Sequence, residues 1–294
     1  MAKSFSKNQV ARLCLTVLVL LLALSFLQQM GWLPLRNYGV VIVYLLIFML
    51  PMLVYVKRRK RKMGEMLRLK GIKFKYLPFT VVISIAICLI CAVLNVLGYM
   101  IFSSLAATDQ PTAMFDFSTQ NPLMLVLTMV ILPAVTEELL IRGVVLGEYE
   151  QYGTARAVLL SSLIFALFHA NPIHFVSLLV AGVCYAMLTL LFDSVWPALI
   201  AHLFNNGAAL LLYYNKNFVS YILEDTIFLI ILLVAVFLVL ILALKMLERI
   251  IAERGNKGKL RVLHRRSAKS PYRSLCLWLF ILGCIAKAVF TYVI

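Results

Sequence analysis

The stretch PLMLVLTMVILPAVTEELLIRGVVL, Pro122–Leu146, decides the reading of the chain. It is apolar almost throughout and longer than the roughly 20 helical residues that span a bilayer core of about 30 Å. Yet it holds Glu137, Glu138 and Arg142. A charge at bilayer depth costs roughly 2.5–3.5 kcal/mol on insertion scales, so residues like these mark function or a buried pair.

The rest of the chain shares the apolar character. Of 294 residues, 63% are hydrophobic and 14% charged, where a soluble domain carries about a quarter charged. Spans are expected at 9–30, 38–56, 79–102, 122–147, 156–170, 173–192, 197–214, 225–247 and 274–293. Backbone amides in lipid must be satisfied within the segment, so the spans are helices, and nothing alternates as a barrel strand would. The expected fold is an all-α polytopic transmembrane helical bundle of eight or nine spans. It forms a single integral membrane domain over 1–294, with a catalytic core at 122–214.

A net charge of +16 raises nucleic acid as a partner, but its distribution argues against that. Ten Lys/Arg crowd Lys57–Lys75, starting with KRRKRK, and nine more lie in Arg249–Arg273. Basic loops at 57–78 and 248–273, flanking spans, are positive-inside determinants whose partners are anionic lipids, not nucleic acid. An N-terminus in the cytoplasm puts both loops inside. The loop 103–121, with Asp109 and Asp116 and no Lys or Arg, falls outside. The chain reads as a multi-pass protein of the cell membrane with a retained first span, since no small-x-small cleavage site follows LALSFLQQM. Cys88 and Cys91 have CxxC spacing, but all six cysteines sit in apolar segments and read as packing residues.

The remaining intramembrane polar residues are His169 in the fifth span and His202, Asn205 and Asn206 in the seventh. Spacing sorts them. Glu138 and Arg142 are i and i+4 with the acid first, the favoured order for a helical ion pair. Glu137 points about 100° away and is left for chemistry. Phe165 and His169 share a face, as do His202 and Asn206. Counted from the cytoplasmic ends of their spans, Glu137, His169 and Asn206 fall at a similar level and His202 is shallower.

An acid and an imidazole at one depth suit an activated water. Glu137 takes its proton, while His169 holds the same water or protonates the leaving amine. His202 and Asn206 donate hydrogen bonds to the oxyanion. These are the parts of a peptidase that needs no cofactor. A zinc site built from Glu137, His169 and His202, with an open fourth position, is the alternative. HExxH is absent and no carboxylate stands out as a partner for either histidine.

EELLIR, FALFH and HLFNN match EExxxR, FxxxH and HxxxN, in order on separate spans. The chain thus resembles the CPBP family of intramembrane proteases (CAAX protease and bacteriocin-processing, or Abi). The resemblance implies water activation by Glu137 and His169 and oxyanion stabilisation by His202 and Asn206, with Glu138, Arg142 and Phe165 in support. The implied activity is hydrolysis of a peptide bond in a membrane-associated peptide or lipidated protein tail, near the cytoplasmic face. The competing reading is a non-proteolytic regulatory or bacteriocin-immunity scaffold in which the polar cluster glues helices together. Outside the cluster, Asn205 is expected to make a helix–helix hydrogen bond, Glu148 and Glu150 to lie on the surface, and His174 to have no role.

Overall fold

The computed structural model describes residues 9–33, 38–102, 121–215, 226–256 and 271–292. The loop 103–120 with Asp109 and Asp116, most of the second basic loop, Lys3, Lys7 and His264 lie outside them. Nine apolar helices run through the described residues: α1 (Gln9–Gln29), α2 (Tyr38–Arg59), α3 (Leu77–Phe102), α4 (Pro122–Tyr152), α5 (Thr154–Phe168), α6 (Phe175–Phe192), α7 (Trp196–Tyr214), α8 (Thr226–Asn256) and α9 (Leu275–Tyr292). No strand occurs among the described residues. Six of the nine are long and apolar enough to cross a membrane, while α5, α7 and α9 are shorter. The chain is an all-α polytopic bundle.

Local chemistry sets the ends. Asn121 caps α4, its Oδ1 accepting from the Met124 amide at 2.8 Å, and Pro122 occupies the first turn, where its missing N–H is no loss. α5 ends before Ala170, which adopts a left-handed conformation, and Asn171 and Pro172 follow in the turn. Asp193 ends α6 in the same left-handed way.

α4 is the centre of the bundle. In its most apolar stretch 61% of residues are buried, against 6% for α8, which docks along α3 and turns the rest of its surface outward. α2, α5 and α7 pack against α4, α6 lies against α5, α3 and α7, and α1 is held between α2 and α9. α4 is not a uniform helix, because Val126–Ile131 and Leu139–Val145 are π-helical. Pro133 accounts for the first, since its ring crowds the carbonyl four residues back and a wider turn relieves the contact. Between them Leu132–Glu138 is regular α-helix, so Glu137 and Glu138 diverge to different neighbours.

The first basic segment is more ordered than a plain loop. α2 continues to Arg59, Met63–Met66 forms a helical turn, and Phe74–Tyr76 a 3₁₀ turn leads into α3. Arg59 pairs with Glu148, and Arg68 pairs with Glu150. Lys75 meets Glu253 at 2.5 Å. Glu148 is therefore buried rather than a surface residue, and Glu150 is half-buried. These acids neutralise part of the basic segment and tie the ends of α2 and α4 together. Ser194 Oγ donates to the Lys70 carbonyl at 2.6 Å, bringing the α6–α7 turn to the same end.

Candidate active site

Glu137 is the midpoint of α4 and is 8% exposed. Its Oε1 accepts a hydrogen bond from the Tyr44 hydroxyl of α2 at 3.0 Å. Its Oε2 lies 3.7 Å from His169 Nε2, beyond direct hydrogen bonding, and has no hydrogen-bond partner among the described residues. His169 follows the last residue of α5, with its side chain 30% exposed. Its Nδ1 is 2.9 Å from the Phe165 carbonyl. A carbonyl only accepts, so Nδ1 carries a hydrogen, and Nε2 is the nitrogen turned toward Glu137.

Glu138 turns the other way and is fully buried. The expected ion pair forms, with Arg142 Nη1 at 3.1 Å from Glu138 Oε1. The same oxygen is 2.9 Å from His202 Nδ1 on α7. This corrects the expectation that neither histidine has a carboxylate partner: Glu138 orients His202. The residue was visible, but its second contact crosses helices and has no signature in spacing.

Arg142 is packed as well as paired. Its Nη2 donates to the Gly182 carbonyl of α6 at 3.1 Å. Its guanidinium lies 4.5 Å from the centre of the Phe165 ring and 5.3 Å from that of Tyr185. Aromatic faces are a favourable seat for a buried guanidinium. Phe165 also meets His169 edge-on at 5.0 Å and His202 at 5.6 Å, while Tyr185 stacks on His202 at 5.3 Å. One phenylalanine therefore contacts both imidazoles and the arginine. Gly182 makes this possible, because a Cβ there would stand 3.0 Å from Ser162 Cβ and 3.3 Å from the Phe165 ring.

The expected constellation is thus partly assembled. Glu137 faces His169, Glu138 joins Arg142 to His202, and Phe165 touches both groups. Asn206 is half-buried one turn along from His202, and its side-chain amide has no hydrogen-bond partner among the described residues. Asn205 likewise makes no helix–helix hydrogen bond among them. Sequence reasoning missed Tyr44, Tyr185 and the Gly182 carbonyl. A tyrosine in an apolar run was the one available signal for the first two.

His169 is fifteen residues past Thr154, about 22 Å along α5, and Glu137 is fifteen residues from the end of α4 at Tyr152, so the two helices bring these side chains to one level. His169 lies at the edge of the turn that ends α5, away from its basic end. Beyond the turn, His174 Nδ1 is 2.9 Å from Asn95 Oδ1 of α3, and Ser177 donates to the same oxygen. His174 is exposed but engaged. Partial desolvation of the ring on its Asn95 side, and secondarily the nearby His169, holds its pKa below the ordinary histidine value.

Among the described residues no three His, Cys, Asp or Glu side chains converge as ligands. With Nδ1 of His202 on Glu138, Nε2 is its open nitrogen, and a carboxylate on the other ring nitrogen is also the partner a metal-bound histidine has. All six cysteines are free.

Residues 119–208 match the model of a protein family described as type II CAAX prenyl endopeptidase Rce1-like. The matched stretch covers α4 to the middle of α7 and contains every side chain of the site except Tyr44. It carries the pattern of the CAAX proteases and supports an intramembrane endopeptidase. No curated protein and no solved structure matches the chain.

Proposed function

We propose, taking the CAAX prenyl endopeptidase match as premise, that the chain hydrolyses a peptide bond in a membrane-associated peptide or lipidated protein tail, with Glu137 and His169 as the water-activating pair. One observation carries this reading. With the His169 ring neutral, two hydrogen-bond acceptors, Glu137 Oε2 and His169 Nε2, face each other 3.7 Å apart, Oε2 shielded from solvent and the His169 side chain 30% exposed. The species that satisfies both is a donor of two hydrogens, which is water. Donating to both, that water keeps a lone pair for a substrate carbonyl.

The steps follow from these groups. Glu137 takes a proton from the water as its oxygen attacks the scissile carbonyl carbon. The carbonyl oxygen becomes an oxyanion, for which His202 and the Asn206 amide are the donors. His202 presents a proton at Nε2 when its ring is charged, and Glu138 balances that charge. The C–N bond then breaks as the proton held by Glu137 passes, directly or through His169, to the leaving nitrogen. Phe165 supports both imidazoles by packing, and the pair Glu138–Arg142 holds His202 in place. No step calls for a metal ion.

The catalytic core is the unit 122–214. The basic segments 57–78 and 248–273 rest against anionic lipid headgroups, with the N-terminus on that side. The chain would work as a multi-pass protein of the cell membrane.

Comparative peptidomics of cells carrying wild type or Glu137→Ala tests the activity. The expected result is a set of peptide termini present only with wild type, while the variant accumulates folded in the membrane. Identical termini in both would refute the assignment. The scaffold reading makes the opposite forecast, in which Glu137→Ala acts only by lowering the amount of protein.

A further inference from the structure

Tyr44 lies on α2, outside the segment that matches the family model. Its hydroxyl is the hydrogen-bond donor that holds Glu137 Oε1, at 3.0 Å. We propose that Tyr44 is a positioning residue for hydrolysis, fixing the Glu137 carboxylate so that Oε2 stays turned to His169. The proposal rests on the reading of Glu137 and His169 as the water-activating pair.

A glutamate carboxylate rotates broadly about its last torsion, and its two oxygens are equivalent until something distinguishes them. Nothing on α4 does so for Glu137, since the neighbouring charges, Glu138 and Arg142, are engaged with each other. Tyr44 is the group that breaks the symmetry. A hydrogen bond to a charged carboxylate is about twice as strong as a neutral one, so one phenol is enough to select an orientation.

The phenol is itself well supported. Its ring stacks on Phe48 with centroids 4.7 Å apart and planes 17° apart. Phe48 is buried and meets Phe168 at 6.2 Å, and Phe168 meets Phe280 of α9 edge-on at 4.9 Å. A chain of aromatic contacts thus ties Tyr44 to α5 and α9. Phe168 is adjacent to His169, so the two sides of the water-activating pair share this support. Catalysis is sensitive to such placement, since a shift of about 1 Å can cost a hundredfold in rate.

The test is Tyr44→Phe in the full-length protein in lipid nanodiscs, which keeps the ring stack and removes only the hydroxyl. The probe substrate is an isoprenylated fluorogenic peptide with a free C-terminal tail. The expected result is a kcat lower by about ten- to a hundredfold, a KM within about twofold, and an unchanged melting temperature. The infrared carboxylate band of Glu137, located by its loss in Glu137→Gln, should shift in Tyr44→Phe. Wild-type kcat with an unshifted band would overturn the proposal while leaving the peptidase reading intact. Lost activity with lowered melting and an unshifted band would also overturn it, showing a role in stability alone. A wild-type protein that cleaves nothing, though its band shifts on Tyr44→Phe, would remove the peptidase reading and the positioning role with it.

Discussion

Two adjacent glutamates with different surroundings should fail differently when each is changed to glutamine. Glu138 is fully buried, and one of its oxygens serves both Arg142 Nη1 at 3.1 Å and His202 Nδ1 at 2.9 Å. Glu138→Gln removes the carboxylate paired with the buried guanidinium. Breaking such a pair from one side costs about 3–5 kcal/mol. Arg142 keeps its bond to the Gly182 carbonyl and its two aromatic faces, so the lower end is expected, about 3 kcal/mol. That is a large fraction of a typical total of about 5–15 kcal/mol. Glu137→Gln leaves no buried cation stranded and still accepts from Tyr44, so its stability should change by less than about 1 kcal/mol. Its cleavage should vanish. The assay is thermal unfolding of wild type and both variants in one lipid nanodisc, with turnover measured alongside. A sharp fall in melting temperature for Glu138→Gln, beside a stable but inactive Glu137→Gln, is the expected pattern. Equal melting of the two variants would refute the division of labour.

Further outcomes follow from other contacts. Gly182→Ala forces a Cβ against Ser162, pushing α6 off α5 and its carbonyl away from Arg142; the overpacking should cost about 1–3 kcal/mol and lower turnover, read by melting and kinetics together. Phe165→Leu removes a ring shared by both imidazoles and Arg142, and it should lower kcat more than it raises KM. Exhaustive chelation should leave cleavage unchanged; a loss restored by added zinc would replace the metal-free mechanism with a zinc one. His174 has a folded pKa below its unfolded value of about 6.5. The unfolded chain therefore binds more protons between the two values, and stability held above that pH falls as pH drops through the window. His174→Gln should flatten the acid side of a melting-temperature profile, and an unaltered profile would refute the linkage.

Much of the fold was legible because the bilayer imposes simple rules on composition and length. All nine expected spans have a helix, and the break at Asn171–Pro172 falls between α5 and α6. Pairs on one helix were legible for the same reason, since Glu138 with Arg142 and Phe165 with His169 follow from the helical repeat. Contacts between helices were not. Tyr44 reaching Glu137, Glu138 reaching His202, and the Gly182 carbonyl meeting Arg142 depend on how helices rotate against one another, which no spacing records.

The brevity of α5 matters because of where the helix sits. Ten of its fifteen residues are buried among α4, α6 and α9, so its early end leaves a gap inside the bundle rather than at a lipid-facing wall. His169 stands at that gap, with its side chain 30% exposed. A one-turn extension of α5 would plug the approach to His169 Nε2 that the short helix leaves open, and a protein so lengthened should keep its fold and lose its turnover.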